Sequence, residues 1–111
     1  MSVDSKYPHT ATLWNRGPEK DRKATWVHHL LEGVRIEEGK GARTTASGDQ
    51  ATDTFLMLVP ASLADHTFAK DDRIALGEHE DATPIDGAHV ITYCEPIRMR
   101  AGIHHLEVGG V

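Results

Sequence analysis

Residues 25–38 read TWVHHLLEGVRIEE, and whether they form a helix or a strand decides the fold class. Val27, Leu30, Leu31 and Val34 fall at i, i+3, i+4 and i+7, the spacing of an apolar helix face. Against a helix stands Gly33, since glycine costs a helix interior about 1 kcal/mol relative to alanine. From GVRIEE onward alternation resumes, with Val34 and Ile36 on one side. The segment is therefore read as a strand.

The flanking segments have the same character. In HTATLWNR (9–16), Thr10, Thr12 and Trp14 alternate with Ala11 and Leu13, a period of two rich in β-branched and aromatic residues that predicts the first strand. GPEKDRK (17–23) has nothing to bury and reads as a solvated connection. GKGARTTASGDQ (39–50) carries three glycines and no large apolar side chain, which predicts a long mobile loop. Loops of this length are either functional or disordered.

TDTFLMLVP follows, with Phe55, Met57 and Val59 on one face and Leu56 and Leu58 on the other. That pattern predicts a central strand buried on both sides, ended by Pro60, which supplies no ladder donor. ASLADHTFAK has room for one helical turn capped by Ser62. DDRIALGEH opens with a turn-forming acidic pair and alternates Ile74 with Leu76, AHVITYCEP reads as a further strand, and GIHHLEVGG as the last. Six to seven short strands, a long Gly-rich loop and at most one short helix predict a mainly β protein: a single-domain β-barrel or sandwich over residues 1–111, with 39–50 projecting as a flexible loop.

Composition bounds the function. The length suits one core and not two. Hydrophobic residues at 39% and charged residues at 26% describe a globular chain, without an apolar run long enough to span a bilayer. MSVDSKYPHT lacks the basic start, apolar stretch and cleavage site of a secretory signal, so an intracellular origin is expected. A net charge of −5 has the wrong sign for a domain that holds DNA through its phosphates, and no sequence-specific nucleic-acid or membrane partner is expected. The single cysteine, Cys94, rules out an internal disulfide or a multi-cysteine zinc site; within VITYCEP it reads as a buried, inert thiol.

Eight histidines in 111 residues raise the question of metal or acid–base chemistry. Adjacent residues of a strand point to opposite faces, so neither His28 with His29 nor His104 with His105 could ligate one ion together. A shared site would need one histidine from each pair to converge, completed by Glu32, Glu78, His79 or Glu107, and nothing in the spacing demands it. The preferred reading sets one histidine of each pair in solvent and the other half-buried with a hydrogen-bond partner. In GEHEDAT, Glu78, Glu80 and Asp81 crowd His79 in the manner of a catalytic base, or of a solvated turn. Gly39, Gly41 and Gly48 do not form a phosphate loop, because Lys40 lacks a following Ser or Thr. No cofactor and no catalytic residue is expected.

Taken in order, HTATLWNR, TWVHHLLEGVRIEE, TDTFLMLVP, KDDRIALGE and AHVITYCEPIRMRAGIHHLEVGGV resemble small structural proteins of bacteriophage and prophage head–tail modules. The matching positions are Asn15 in the turn after the first strand, Trp26 ahead of Leu31, Gly33 and Val34, the Gly-rich loop, then Asp72, Ile74, Gly77 and Glu78, and the tail from His105 to Gly110. Asp71 replaces the glycine expected before Asp72, suggesting a different turn there, and Leu106 stands where tryptophan is more usual.

The resemblance implies a head–tail joining protein, an adaptor or stopper: a non-enzymatic β-barrel that assembles as a homo-oligomeric ring with portal, adaptor or tail proteins. Its location would be the bacterial cytoplasm during assembly and then the virion. By the same analogy the contact loop would include Gly39, Lys40, Gly41, Arg43, Gly48 and Asp49. The terminal strand, with Ile103, His105, Leu106 and Val108, would pair with its own barrel or a neighbouring subunit before a flexible Gly-Gly end. The competing reading is a small metal- or ligand-binding barrel built on His28 or His29 with His104 or His105.

Overall fold

A computed structural model describes residues 6–39, 55–100 and 102–111. Six strands form it: β1 (His9–Arg16), β2 (Trp26–Glu38), β3 (Phe55–Pro60), β4 (Arg73–Leu76), β5 (His89–Met99) and β6 (Gly102–Gly110). All pairings are antiparallel and the sheet closes as a barrel in the order β1-β2-β3-β6-β5-β4. Of the barrel or sandwich expected for a mainly β chain, it forms the barrel. Ala61–Leu63 makes one 3₁₀ turn, and Ser62 lies inside it and makes no cap.

The helix-like spacing in β2 has a structural cause. Thr10 pairs with Glu32 but His9 pairs with Val34, so Gly33 is an extra residue, a β-bulge at φ 91°. Before the bulge Leu31 points inward; after it Val34 and Ile36 do. The bulge shifts the alternation by one residue, and i, i+3 spacing results within an extended strand. The left-handed backbone that Gly33 adopts is open to glycine without steric cost.

The connection between β1 and β2 is solvated, as its composition predicts, but ordered: the hairpin continues to Lys20 and Lys23, which exchange main-chain hydrogen bonds of 2.8 and 3.0 Å. Asp21 and Arg22 at its tip both have positive φ, the geometry of a type I′ turn.

One apolar cluster fills the barrel, with Ala11 and Leu13 from β1, Leu31, Val34 and Ile36 from β2, Phe55, Met57 and Val59 from β3, Ile74, Ile91, Leu106 and Val108 from the remaining strands, and Phe68 from the β3–β4 connection. The expected burial of β3 on both sides is corrected: Leu56 and Leu58 are only half-buried, because a barrel has one interior and they lie on its outer face. On β1 the opposite happens. Thr12 and Trp14 alternate with the inward residues yet are fully buried, since a strap formed by residues 77–88 crosses them. Thr12 Oγ1 donates to the Gly77 carbonyl (2.9 Å) and accepts from the His79 N–H (2.9 Å), and Trp14 Nε1 donates to the Asp81 carbonyl (2.8 Å).

Asp72 is the buried carboxylate of the molecule's described part, and it is fully used. It accepts hydrogen bonds from Asn15 Nδ2 (2.8 Å), the Arg16 N–H (2.9 Å) and the Ala69 N–H (2.9 Å). Three donors hold the charge in place of water and tie the end of β1 to the lead-in of β4. Asp71 before it has φ 76°, the left-handed conformation that glycine favours. An aspartate there takes a glycine-type backbone.

Candidate functional site

The tail of the chain builds one wall of a surface cleft. Gly109 pairs with Leu56 of β3 and Tyr93 of β5, and Gly110 pairs with Phe55 and Ile91. Val111 exchanges main-chain bonds of 2.9 and 3.1 Å with Val90. The expected flexible Gly-Gly end is therefore corrected: both glycines are buried and paired. Close packing makes them glycines. A Cβ on Gly109 would lie 2.4 Å from the Tyr93 ring, and one on Gly110 only 1.8 Å from the Val90 carbonyl oxygen.

The cleft encloses about 560 Å³ between Glu37, Glu38, Gly39, Phe55, Leu56, Thr92, Tyr93, Gly110 and Val111. Register explains its lining, because Glu37, Leu56, Gly109 and Tyr93 form one continuous row across β2, β3, β6 and β5. Since Gly109 has no side chain, the Tyr93 ring lies over it, still 47% exposed. The rim is acidic but partnered: Glu37 Oε1 is 3.3 Å from Arg35 Nε, and Glu38 Oε2 is 2.5 Å from His89 Nε2. The His89 ring packs in turn on Phe55, with centroids 4.7 Å apart. Gly39 and Phe55, which bound the segment 40–54, are both part of this lining. Of the predicted contact loop, Gly39 is placed at the cleft; Lys40, Gly41, Arg43, Gly48 and Asp49 lie outside the described residues.

The predicted terminal strand is central to the barrel. From His105 to Gly110, β6 is hydrogen-bonded to β3 on one side and β5 on the other, and Leu106 and Val108 point into the core. It therefore has no unpaired edge there for a neighbouring subunit, and among the four named residues only Ile103 is well exposed.

The histidine pairs differ from one another. His28 is exposed and His29 half-buried against the His66 ring, 5.4 Å away, as alternation predicts. His104 and His105 break the rule. Ile97 pairs with His105 but Arg98 with Ile103, so His104 is bulged out of register, and the two Nδ1 atoms stand 2.9 Å apart. The expectation that these neighbours point apart is corrected by this bulge. Glu107 Oε1 lies 3.8 Å from the other nitrogen of His105. His28 and His29 are not brought to them: they sit on the part of β2 that pairs with β1, whereas His105 pairs with Pro60 of β3. Among the described residues no three His, Cys, Asp or Glu side chains are grouped to hold a metal ion.

His79 is part of the strap. Its Nε2 is 3.0 Å from the Leu76 carbonyl, and its ring stands 6.1 Å from that of Trp14. Glu78, Glu80 and Asp81 are exposed, and among the described residues none of them is bonded to that ring. Cys94 packs against the core, and burial holds its thiol above the ordinary value, so the nucleophilic thiolate is disfavoured. No described helix is long and apolar enough to cross a membrane. What sequence reading missed is the cleft and the strap, since both depend on register and on which outward residues a distant loop covers.

Fold and surface define a small closed antiparallel barrel with a cleft at the base of its longest connection. Over residues 7–111 the chain matches, and belongs to, the family of unknown function DUF6751. No curated protein and no solved structure matches it.

Proposed function

We propose that this protein is a non-enzymatic structural component of a phage or prophage particle, of the head–tail joining type, which works through protein contacts in a ring. The observation that carries the reading is where the resembling residues lie. Asn15 and Asp72 clamp β1 to β4, Gly33 makes the β2 bulge, Gly77 opens the strap at φ 97°, and Gly109 and Gly110 close the barrel. Six of the resembling positions thus build this frame. The connection from Gly39 to Phe55 leaves the frame at a cleft, where contacts with portal, adaptor or tail proteins would begin.

On this reading the chain is made in the bacterial cytoplasm and ends in the virion. Deleting residues 39–50 is expected to leave a folded barrel that no longer joins phage particles, scored by circular dichroism and by immunoblotting of purified virions. Normal virions containing the deleted chain would remove the segment from the mechanism. A gene neighbourhood of portal, capsid and tail genes is expected, and one of metabolic genes would overturn the reading.

A further inference from the structure

The β5–β6 hairpin outgrows the barrel. β4 pairs with β5 only at His89 and Val90, extended by the Asp71–Ile91 and Asp72–Ile91 main-chain bonds, and β3 stops pairing with β6 at His105. Among the described residues, nothing pairs with the outer edge of β5 from Thr92 to Met99, or with β6 before His105. Residues 97–99 and 102–104 are thus the two strands of an arm, and an isolated ribbon of this kind is marginal in water. Its tip exposes Met99 (60%) and Ile103 (37%) beside the exposed Arg98 and Arg100, and contains no acidic residue.

The opposite end of the sheet carries the complement. The strap presents Glu78, Glu80, Asp81 and Asp86, all exposed, with Leu76 44% exposed at its base and no lysine or arginine between residues 76 and 88. Thr12 and Trp14 fix its position, so this acidic surface is preorganised. The two surfaces cannot meet within one chain: β5 runs from His89, beside the strap, to Met99 at the arm, a length of about 33 Å at the usual rise of ~3.3 Å per residue.

We propose that the arm of one copy docks on the acidic strap of the next, Arg98 and Arg100 facing Glu78, Glu80 and Asp81, with Ile103, which pairs with Arg98 and shares its face of the ribbon, covering Leu76. Unlike surfaces at opposite ends make the contact head-to-tail, and such contacts give a ring where the rotation closes. In taking a second copy as partner, the proposal rests on the assembly reading above; its surfaces are nonetheless all in this chain and are tested without a phage.

The test is sedimentation velocity of the full chain from micromolar to millimolar concentration, with circular dichroism as the check on folding. The wild type is expected to associate, and less so as salt rises. R98E/R100E and E80K/D81K are each expected to be monomeric, and their equimolar mixture to associate again, since each then offers an end complementary to the other's. A monomeric wild type, association that survives both reversals, or a mixture that stays monomeric would overturn the proposal. Association by this route in a chain absent from virions would remove the phage reading alone. A chain found in virions whose arm and strap variants assemble normally would remove this one alone.

Discussion

Asn15 and Asp72 lie 57 positions apart in the chain and are joined by a 2.8 Å hydrogen bond from Asn15 Nδ2 to Asp72 Oδ2. The same carboxylate takes the Arg16 and Ala69 N–H groups, so one buried side chain fixes the end of β1, the turn at 69 and the lead-in of β4 together. Asp72→Ala is expected to lower the unfolding free energy by about 3 kcal/mol or more, since each buried donor left without its partner costs about 1–3 kcal/mol. Asp72→Asn keeps the shape but turns an amide NH2 toward at least one of those donors, and a comparable loss is expected. Urea midpoints at constant m-value measure both; an unchanged midpoint for Asp72→Ala would mean that water serves these donors equally well.

The strap offers a local counterpart. Thr12→Val removes the acceptor of the His79 N–H and the donor to Gly77 with little change of shape, and Trp14→Phe removes the bond to Asp81. Each is expected to destabilise the protein by about 1–2 kcal/mol. Amide exchange is expected to rise across residues 77–88 more than in β2 or β6. Uniformly faster exchange would show instead that strap and barrel open as one unit.

How much of this was legible follows from where alternation stays in phase. β1 reads directly, because the extra residue of its pairing with β2, Gly33, lies on the other strand. β2 reads ambiguously because Gly33 changes its phase, and the His104–His105 contact is invisible because the register of β5 against β6 slips there. Thr12 and Trp14 occupy outward positions, and only the strap from 65 residues later buries them. The cleft requires pairing of four strands, which spacing along the chain does not contain. Gly109 and Gly110 read as loose for a related reason: their need for glycine comes from Tyr93 and Val90, neighbours across the sheet.

Asp71 and Arg22 are, with Asp21, the described exposed residues whose left-handed backbone glycine would adopt freely. Asp71 has φ 76° and Arg22 φ 64°. The main-chain bonds at Asp71, its N–H to the Ile91 carbonyl and its carbonyl to Arg73, do not involve its side chain. Asp71→Gly and Arg22→Gly are therefore each expected to stabilise by about 0.5–1 kcal/mol, the left-handed penalty of about 1–2 kcal/mol less the greater entropy of glycine in the unfolded chain. Thermal melts read the sign. A lower midpoint for Asp71→Gly would assign the side chain a favourable role outweighing its backbone strain.

The two tail glycines separate packing against a side chain from packing against backbone. A methyl at Gly109 meets the Tyr93 ring, which is nearly half exposed and can rotate away toward the cleft mouth. A methyl at Gly110 meets the Val90 carbonyl, held in the sheet between β4 and the Val111 main chain. Gly109→Ala is accordingly expected to cost about 1 kcal/mol and Gly110→Ala about 3 kcal/mol or more, overpacking being costly where the neighbour cannot move. Removing the ring should rescue the first change and not the second: Tyr93→Ser is expected to make Gly109→Ala nearly neutral in a double-mutant cycle while leaving Gly110→Ala as damaging as before. Equal costs at both positions, or rescue at neither, would mean that the tail yields as a whole and that the ring does not decide which residue fits at 109.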